Sequence, residues 1–370
     1  MKKLLAMTLA VAMVLSLAAV AFASSDTKLD YMLDREVFGK PCYYDSDDDA
    51  RVVKYKDGYV FEYGETIYLP LIGTKITEDG KAGTGKTLIS KSNAVDGLKV
   101  KTSFDFGEKY VDSVKITQKK IDTSVYDAVD DAVKPAKLEV GKSYVYFVAV
   151  KLKDTLKTDA TDVIGELEFD KKATRNKDIE GGKYDDEFDY KKDVKNFGFE
   201  VKYAPAGSKN DKDETVVTED RQLFKFGDKD DDEYEIYLVD EDTASFTFDA
   251  RGQKDLVLSA NNDFNGAISA KYPTANLEFI NVEASDAFNK LGTLRVYAEE
   301  GNYLYALNAD GEIVNSKAKY DKDDECYVMR TRTLGSFVLS DEELTVAAPE
   351  VKPEVKPEVK PFNPGTGAAC

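Results

Sequence analysis

The segment Ser143-Tyr-Val-Tyr-Phe-Val-Ala-Val-Lys-Leu152 decides the fold class of this chain. It consists almost entirely of aromatic and β-branched residues, which favour an extended backbone because their side chains fit a pleated surface. Side chains on a strand alternate between two faces, and this is the longest run of that type in the chain. We therefore predict a central β-strand over these residues.

Shorter runs of the same type recur along the chain and are separated by turn-forming residues. No sustained helical periodicity interrupts them, and short strands at turn-spaced intervals are typical of antiparallel sandwiches. We predict an all-β protein with two antiparallel β-sandwich-like domains in tandem. Asn308-Ala-Asp-Gly311 predicts the turn of a hairpin, because its glycine suits positive φ. The other predicted strands cover residues 59–63, 66–69, 98–104, 113–117, 162–169, 197–203, 234–239, 245–248, 255–258, 277–280, 293–297, 303–307, 312–314, 327–332 and 336–339.

The two predicted domains cover residues 24–180 and 181–346. Residues 170–192 interrupt the strand pattern with charged side chains and two adjacent glycines, which favour an irregular connection. We therefore place the domain boundary near residue 180. A proline-rich spacer over residues 347–362 and a short tail over residues 363–370 follow the second domain.

Residues 1–23 have the features of a secretory signal peptide. Two lysines precede an apolar stretch that ends at Val20, and Ala21-Phe-Ala23 supplies the small residues of a cleavage site after Ala23. A membrane anchor is the alternative, but the apolar run is short and ends at this motif. We predict an extracellular protein whose mature chain begins near Ser24 and has no membrane span.

The chain is strongly acidic, with a formal net charge of −19 that becomes −21 once the two lysines of the signal peptide are removed. Nucleic acids and anionic membrane surfaces need basic patches, so we predict neither as a partner. Histidine does not occur in the sequence, which excludes Ser-His-Asp and Cys-His catalysis and the usual zinc sites. A carboxylate pair could still serve a glycosidase, but no pair stands out among the 70 acidic residues.

The three cysteines are Cys42, Cys326 and Cys370. An exported chain can form disulfides, and an odd number of cysteines leaves one thiol unpaired. Cys42 with Cys326 is one candidate pair, and three free thiols are the alternative. Their spacing does not match any metal-ligand pattern.

Residues Gly80-Lys-Ala-Gly-Thr-Gly-Lys-Thr87 match the spelling of a phosphate-binding loop. Such a loop follows a buried strand and opens a helix, so that backbone N–H groups at the helix N-terminus reach the phosphates. Here the residues before Gly80 are polar, and those after Thr87 lack a helical pattern. We therefore predict a turn between strands and no nucleotide cofactor.

Three clusters place carboxylates at alternate positions, a spacing that lets a loop converge on a hard cation. Asp228, Asp230 and Asp232 are the preferred candidate calcium ligands, because strand patterns end at Phe226 and resume at Tyr234. None of the clusters matches the EF-hand pattern, and the alternative is a solvated hairpin tip in an acidic protein. We predict no cofactor, with calcium as the exception to test. The other two clusters are Asp45, Asp47 and Asp49, and Asp321, Asp323 and Glu325.

The C-terminal stretch repeats the unit Glu-Val-Lys-Pro three times between Glu350 and Pro361. Each proline fixes φ and disfavours α geometry in the residue before it, which predicts an extended polyproline-type spacer. Asn363-Pro-Gly-Thr-Gly367 follows and resembles the NPxTG variant of the LPxTG sorting signals of Gram-positive surface proteins. The resemblance implies that a sortase cuts after Thr366 and joins its carboxyl group to peptidoglycan. Signals of that family continue with an apolar span of about 20 residues and a basic end, which do not follow Gly367.

Residues 293–344 resemble a module of repetitive β-rich extracellular proteins of anaerobic Gram-positive bacteria, which implies a location rather than a chemistry. We predict a secreted, cell-wall-associated surface protein with a non-catalytic binding or adhesin-like role, whose partner is an extracellular protein or glycan. One alternative is a structural, self-associating component of a surface layer or fibre. A second is a secreted hydrolase that uses carboxylates, but no motif marks it, so we predict no enzymatic activity.

Overall fold

The computed structural model describes residues 31–45, 51–76, 82–90, 95, 98–129, 143–170, 193–207, 215–226 and 231–346. Strands dominate these residues and a single short α-helix lies among them, which confirms the predicted all-β class. No helix in the described ranges is long and apolar enough to cross a membrane. The predicted cleavage site at Ala23, the spacer over residues 347–362 and the tail with Thr366 lie outside the described residues.

The elements are numbered in chain order. The strands are β1 (Tyr31–Phe38), β2 (Tyr43–Tyr44), β3 (Val53–Lys54), β4 (Thr66–Ile76), β5 (Ala82–Leu88), β6 (Lys99–Phe106), β7 (Val111–Lys120), β8 (Tyr144–Leu152), β9 (Thr161–Asp170), β10 (Asp193–Val201), β11 (Val216–Val217), β12 (Gln222–Phe224), β13 (Tyr234–Leu238), β14 (Ala244–Phe248), β15 (Leu256–Asn261), β16 (Leu277–Ala284), β17 (Gly292–Tyr297), β18 (Tyr303–Leu307), β19 (Ile313–Asn315), β20 (Lys319–Asp321), β21 (Cys326–Thr331) and β22 (Phe337–Ser340). The helix α1 covers Gly266–Ser269, and 3-10 turns cover Glu108–Tyr110 and Thr123–Tyr126.

The chain divides into two compact units, Met1–Ala204 and Pro205–Cys370. The boundary predicted near residue 180 is therefore too early in the chain. The reason is β10, which pairs with β9 over its whole length and so belongs to the first unit. The charged stretch between these strands interrupts the strand pattern as a domain joint would, although it connects two strands that pair with each other.

The first unit is built on a five-stranded sheet with the order β1-β4-β8-β7, in which β5 also pairs with β4. The predicted central strand is confirmed, since β8 lies between β4 and β7. Four consecutive residues of β8, from Phe147 to Val150, are buried, so both faces of this strand are covered. A strand that is buried on both faces is apolar at nearly every position, which explains the composition of the run.

The first unit also contains a two-stranded sheet of β2 and β3 and a three-stranded antiparallel sheet with the order β10-β9-β6. Side chains on β9 alternate, with Val163 and Leu167 buried and Glu166 exposed. Gly165 lies on the buried face, where a Cβ atom would come within 2.4 Å of the Ser103 carbonyl oxygen. A side chain therefore has no room at this position, where β9 pairs with β6.

Residues 59–63, which were predicted as a strand, form an irregular segment with one isolated bridge. The Tyr59 hydroxyl donates to Glu65 Oε1 at 2.8 Å, and the Glu62 amide donates to the other carboxylate oxygen of Glu65 at 2.8 Å. Burial raises the pKa of the Glu65 carboxyl, and these two hydrogen bonds act in the opposite direction. Gly64 follows with a φ of 90°. The strand prediction is wrong here because side-chain hydrogen bonds close a turn across the aromatic run.

The sequence that resembles a phosphate-binding loop lies mostly in β5 and pairs antiparallel with β4. The predicted turn is therefore wrong over Ala82–Leu88. Lys86 lies opposite Thr74 and Thr87 lies opposite Gly73 in this ladder. A phosphate loop instead curls successive N–H groups around one anion at the start of a helix. The extended geometry of β5 does not match that arrangement.

Cys42 and Cys326 are both buried and both free, so the candidate disulfide between them is wrong. Burial raises the pKa of the Cys42 thiol to about 12. Burial also raises the pKa of the Cys326 thiol, and Asp324 raises it further. Cys370 lies outside the described residues.

Because the thiolate is the reactive form, we expect neither Cys42 nor Cys326 to react with a thiol reagent in the folded protein. In a Cys370→Ser variant at pH 8, a chromogenic disulfide reagent should release colour only after urea is added. The urea-treated sample is the control, since both thiols must then be titrated. Rapid release of two equivalents from the native variant would contradict the burial of these side chains.

The second unit contains two six-stranded sheets, which we call the β14 sheet (β11-β13-β14-β17-β21-β20) and the β16 sheet (β12-β15-β16-β22-β18-β19). All their strand pairs are antiparallel except β11 with β13. One buried cluster joins the two sheets, with Phe246 from the β14 sheet and Phe337 from the β16 sheet among its members. The packing is therefore sandwich-like. Phe288 enters this cluster from the connection between β16 and β17.

The predicted hairpin at Asn308-Ala-Asp-Gly311 is confirmed, because β18 pairs antiparallel with β19. The Asn308 carboxamide oxygen accepts the amides of Asp310 at 3.0 Å and Glu312 at 2.9 Å. Gly311 has a φ of 73°, as the turn requires. Local side-chain chemistry thus fixes this turn as the sequence indicates.

The last strand, β22, lies between β16 and β18 and ends at Ser340, which pairs with the first residues of both neighbours. Beyond it, Leu344 packs into a second buried cluster of the β16 sheet. The Leu344 amide donates to the Tyr305 hydroxyl at 2.8 Å, and the Tyr272 hydroxyl donates to the Thr345 carbonyl at 2.6 Å. The last described residues are therefore fixed to this sheet.

Candidate functional site

Of the preferred candidate calcium ligands, only Asp232 lies within the described residues, whereas Asp228 and Asp230 lie outside them. Asp232 is exposed and lies 3.9 Å from the guanidinium of Arg251. In the described ranges, no group of three or more acidic or cysteine side chains is placed to hold a metal ion.

Three connections meet at one end of the second unit, at residues 239–243, 298–302 and 322–325. Together they carry eight carboxylates and one lysine, Lys322, which forms an ion pair with Glu300. Residues from all three line one open hollow of about 570 Å³. We define the acidic rim as its five carboxylate residues, which are Glu241, Asp242, Glu299, Asp324 and Glu325.

The carboxylates of the acidic rim have no lysine or arginine partner within the described part of the chain. The charge of the rim acts on nearby groups. Burial is the largest cause that raises the pKa of the Tyr320 phenol, and it is raised further by the rim residue Glu325 and by Glu300, which lies outside the rim. The rim is thus a concentration of negative charge that the described protein does not neutralise, and it favours a cation.

A hollow of about 320 Å³ with both apolar and polar lining adjoins the acidic rim, at the starts of β14 and β16 and the end of β17. Asp242 and Tyr297 line both hollows, and we call the two hollows together the groove. Hollows of this size are typical of sites for small ligands or single anchoring side chains. The apolar part is lined by Phe264, Leu277, Phe279, Ile280 and Leu339.

Phe264 lies at the edge of the groove and is 73% exposed. Its ring meets Phe279 edge to face, with centroids 6.0 Å apart. Side chains on both sides fix its loop, since the Asn261 carboxamide oxygen accepts the amide of Asp263 at 3.1 Å and the Asn265 oxygen caps α1. An exposed aromatic ring on a fixed loop is a preorganised contact for a partner.

The connection that carries Glu241 and Asp242 is also fixed by local contacts. Asp240 Oδ1 accepts the amides of Asp242 at 3.0 Å and Thr243 at 2.8 Å. Val239, which begins the turn, has a φ of 74°, a conformation that is strained for a β-branched residue. The backbone at Asp242 is therefore held in one position at the junction of the two hollows.

This groove was not predicted from the sequence. Only Glu325 belonged to one of the predicted acidic clusters, and neither Phe264 nor Tyr297 was singled out. The available signal was the acidic composition of several hairpin tips, but their proximity depends on the sheet order. No protein-family model matches this chain. No curated protein matches it either.

Proposed function

We propose that this chain is a secreted, cell-wall-associated binding protein with an adhesin-like, non-catalytic role, and that it contacts its partner through the groove. The observation that carries the proposal is the fixed and exposed ring of Phe264 beside an open hollow. Apolar surface that stays exposed at a concave site is typical of places where a soluble protein binds a partner or ligand.

The sequence supports the surface location in this proposal. Residues 1–23 have signal-peptide features, the Glu-Val-Lys-Pro repeat is typical of an extended spacer, and Thr366 lies in a sorting-like motif. A spacer between the binding unit and its anchor would hold the groove outside the cell wall. The three features have one explanation if the chain is exported and held at its C-terminal end.

The proposal is tested by binding of the fluorescently labelled full-length chain to intact Gram-positive cells and to their isolated walls. We expect saturable binding that a Phe264→Ala variant weakens by about tenfold, because central aromatic anchors carry most of the energy of an interface. Flow cytometry over a concentration series measures both curves.

Leu291→Ala is the matched control, since Leu291 is another exposed apolar residue, 50% exposed, and lies next to the opposite end of β17 from Tyr297. This variant should bind like the unmodified chain. Equal loss in both variants, or no saturable binding at all, would count against a binding role for the groove. Uptake of label into large self-assembled particles would instead favour the structural alternative.

A further inference from the structure

We propose that the groove accepts an extended basic peptide segment of a partner protein, in which an apolar residue lies two positions from a lysine or arginine. This inference rests on the proposed binding function and names the chemical class of its partner. The apolar side chain enters the hollow beside Phe264, and the cation meets the acidic rim.

The hollow beside Phe264 has apolar lining from Phe264, Leu277 and Phe279, and polar lining from residues such as Asp242, Asn262 and Glu278. The exposed ring of Phe264 favours an apolar group in the occupant. Tyr297 forms the wall that the hollow shares with the acidic rim. A lone metal ion or a small polyamine would leave the exposed face of Phe264 unused. An occupant that uses the whole groove therefore combines an apolar group with a charge.

The acidic rim requires the charged group of the ligand to be positive. Five carboxylates line it, and no cation in the described residues pairs with them. Anionic glycans and nucleic acids are repelled by such a rim. A second copy of this chain is also disfavoured, because each copy carries a net charge of −19 and like-charged surfaces oppose docking.

The junction of the two hollows sets the spacing within the ligand. Asp242 and Tyr297 line both, so the apolar and cationic groups bind side by side rather than at distant points. In an extended peptide, neighbouring side chains point to opposite sides and next-but-one side chains share a side. A lysine two residues from a phenylalanine therefore places both groups toward the groove.

The test uses the full-length chain and a fluorescein-labelled peptide, Lys-Ser-Phe-Ser-Lys, in a fluorescence anisotropy titration, because this peptide places its phenylalanine and both lysines on one side when it is extended. We expect binding that weakens by about tenfold in Phe264→Ala and by at least as much in a double variant with Asp242→Asn and Asp324→Asn. Binding should also weaken as sodium chloride rises, because exposed charges are screened beyond about 8 Å at physiological ionic strength. Leu291→Ala should leave the titration unchanged, and circular dichroism verifies that each variant is folded.

Two further peptides decide between occupants. Glu-Ser-Phe-Ser-Glu should not bind, and equal affinity for it would overturn the role of the acidic rim. Lys-Ser-Ser-Ser-Lys should bind more weakly than the phenylalanine peptide, and equal affinity would overturn the role of the hollow. Stronger binding of a Glu-Val-Lys-Pro repeat peptide than of Lys-Ser-Phe-Ser-Lys would identify the tail of this chain as the occupant and would also overturn the proposal.

The peptide experiment can fail while the proposed binding function still holds. If the chain binds cells through Phe264 but none of the basic peptides, the binding function survives and the basic partner is wrong. If millimolar calcium binds the rim specifically and blocks Lys-Ser-Phe-Ser-Lys, while an equal ionic strength of sodium does not, the rim is a metal site and the peptide assignment fails.

Discussion

Replacement of Phe288 by alanine should lower the free energy of unfolding of the second unit by about 3–5 kcal/mol, the usual cost of truncating a buried phenylalanine. Phe288 is 2% exposed, and its ring centroid lies 4.7 Å from those of both Phe246 and Phe248. All three rings belong to the buried cluster between the sheets. The ring comes from a connection rather than from a strand. We therefore expect the paired strands around it to move little into the cavity that truncation leaves.

Urea denaturation followed by tyrosine fluorescence and circular dichroism measures this cost, with the transition of the second unit fitted separately. Phe264→Ala is the control of identical chemistry, since that ring is 73% exposed. It should change the free energy of unfolding by no more than about 0.5 kcal/mol. Similar costs for Phe288 and Phe264 would show that burial does not distinguish these two rings.

Replacement of Gly165 by alanine should destabilise the first unit by about 1–3 kcal/mol, the usual cost of overpacking. The new Cβ atom would lie 2.4 Å from the Ser103 carbonyl oxygen and 3.1 Å from the Phe104 Cα atom. Both are backbone atoms of β6, so the conflict cannot be relieved by rotating a side chain. Either β6 moves away from β9 or the ladder between them loses hydrogen bonds.

Gly198→Ala provides a matched control in the same sheet, because Gly198 lies opposite Ile164 on the adjacent strand β10. Its Cβ atom would meet only the Ile164 Cγ1 atom, at an ordinary contact distance of 3.6 Å. Alanine should therefore be neutral there or stabilise slightly, since glycine in a strand costs about 0.5–1 kcal/mol in lost chain entropy. Thermal and urea unfolding of both variants measure the difference, and equal effects would contradict the predicted conflict.

Local patterns in the sequence were sufficient for the all-β class and for most individual strands. The run at 143–152 and the Asn308–Gly311 hairpin depend on side-chain alternation and turn chemistry, which act between near neighbours. The errors have longer-range causes. Residues 59–63 are bent by the Glu65 carboxylate, and Ala82–Leu88 are extended because β4 supplies a partner.

The groove could not have been predicted from the sequence by the same means. Asp242, Tyr297 and Asp324 are far apart in the chain and meet only because β14, β17 and β21 are neighbours in one sheet. Phe264 lies between β15 and α1, where a phenylalanine in sequence suggests a core residue. Its exposure results from the hydrogen bonds that fix its loop, and these involve tertiary partners such as Asn281.

The position of Ser340, at the same end of the second unit as the acidic rim, has a mechanical consequence. Tension applied between the C-terminal tail and a ligand in the groove passes through the second unit alone, since the first unit precedes both attachment points in the chain. The pull first reaches the hydrogen bonds of Tyr272 and Tyr305 with residues 344–345, and then β22, which is held by strands on both sides. Tension between these two attachment points would therefore act on the second unit and not on the first.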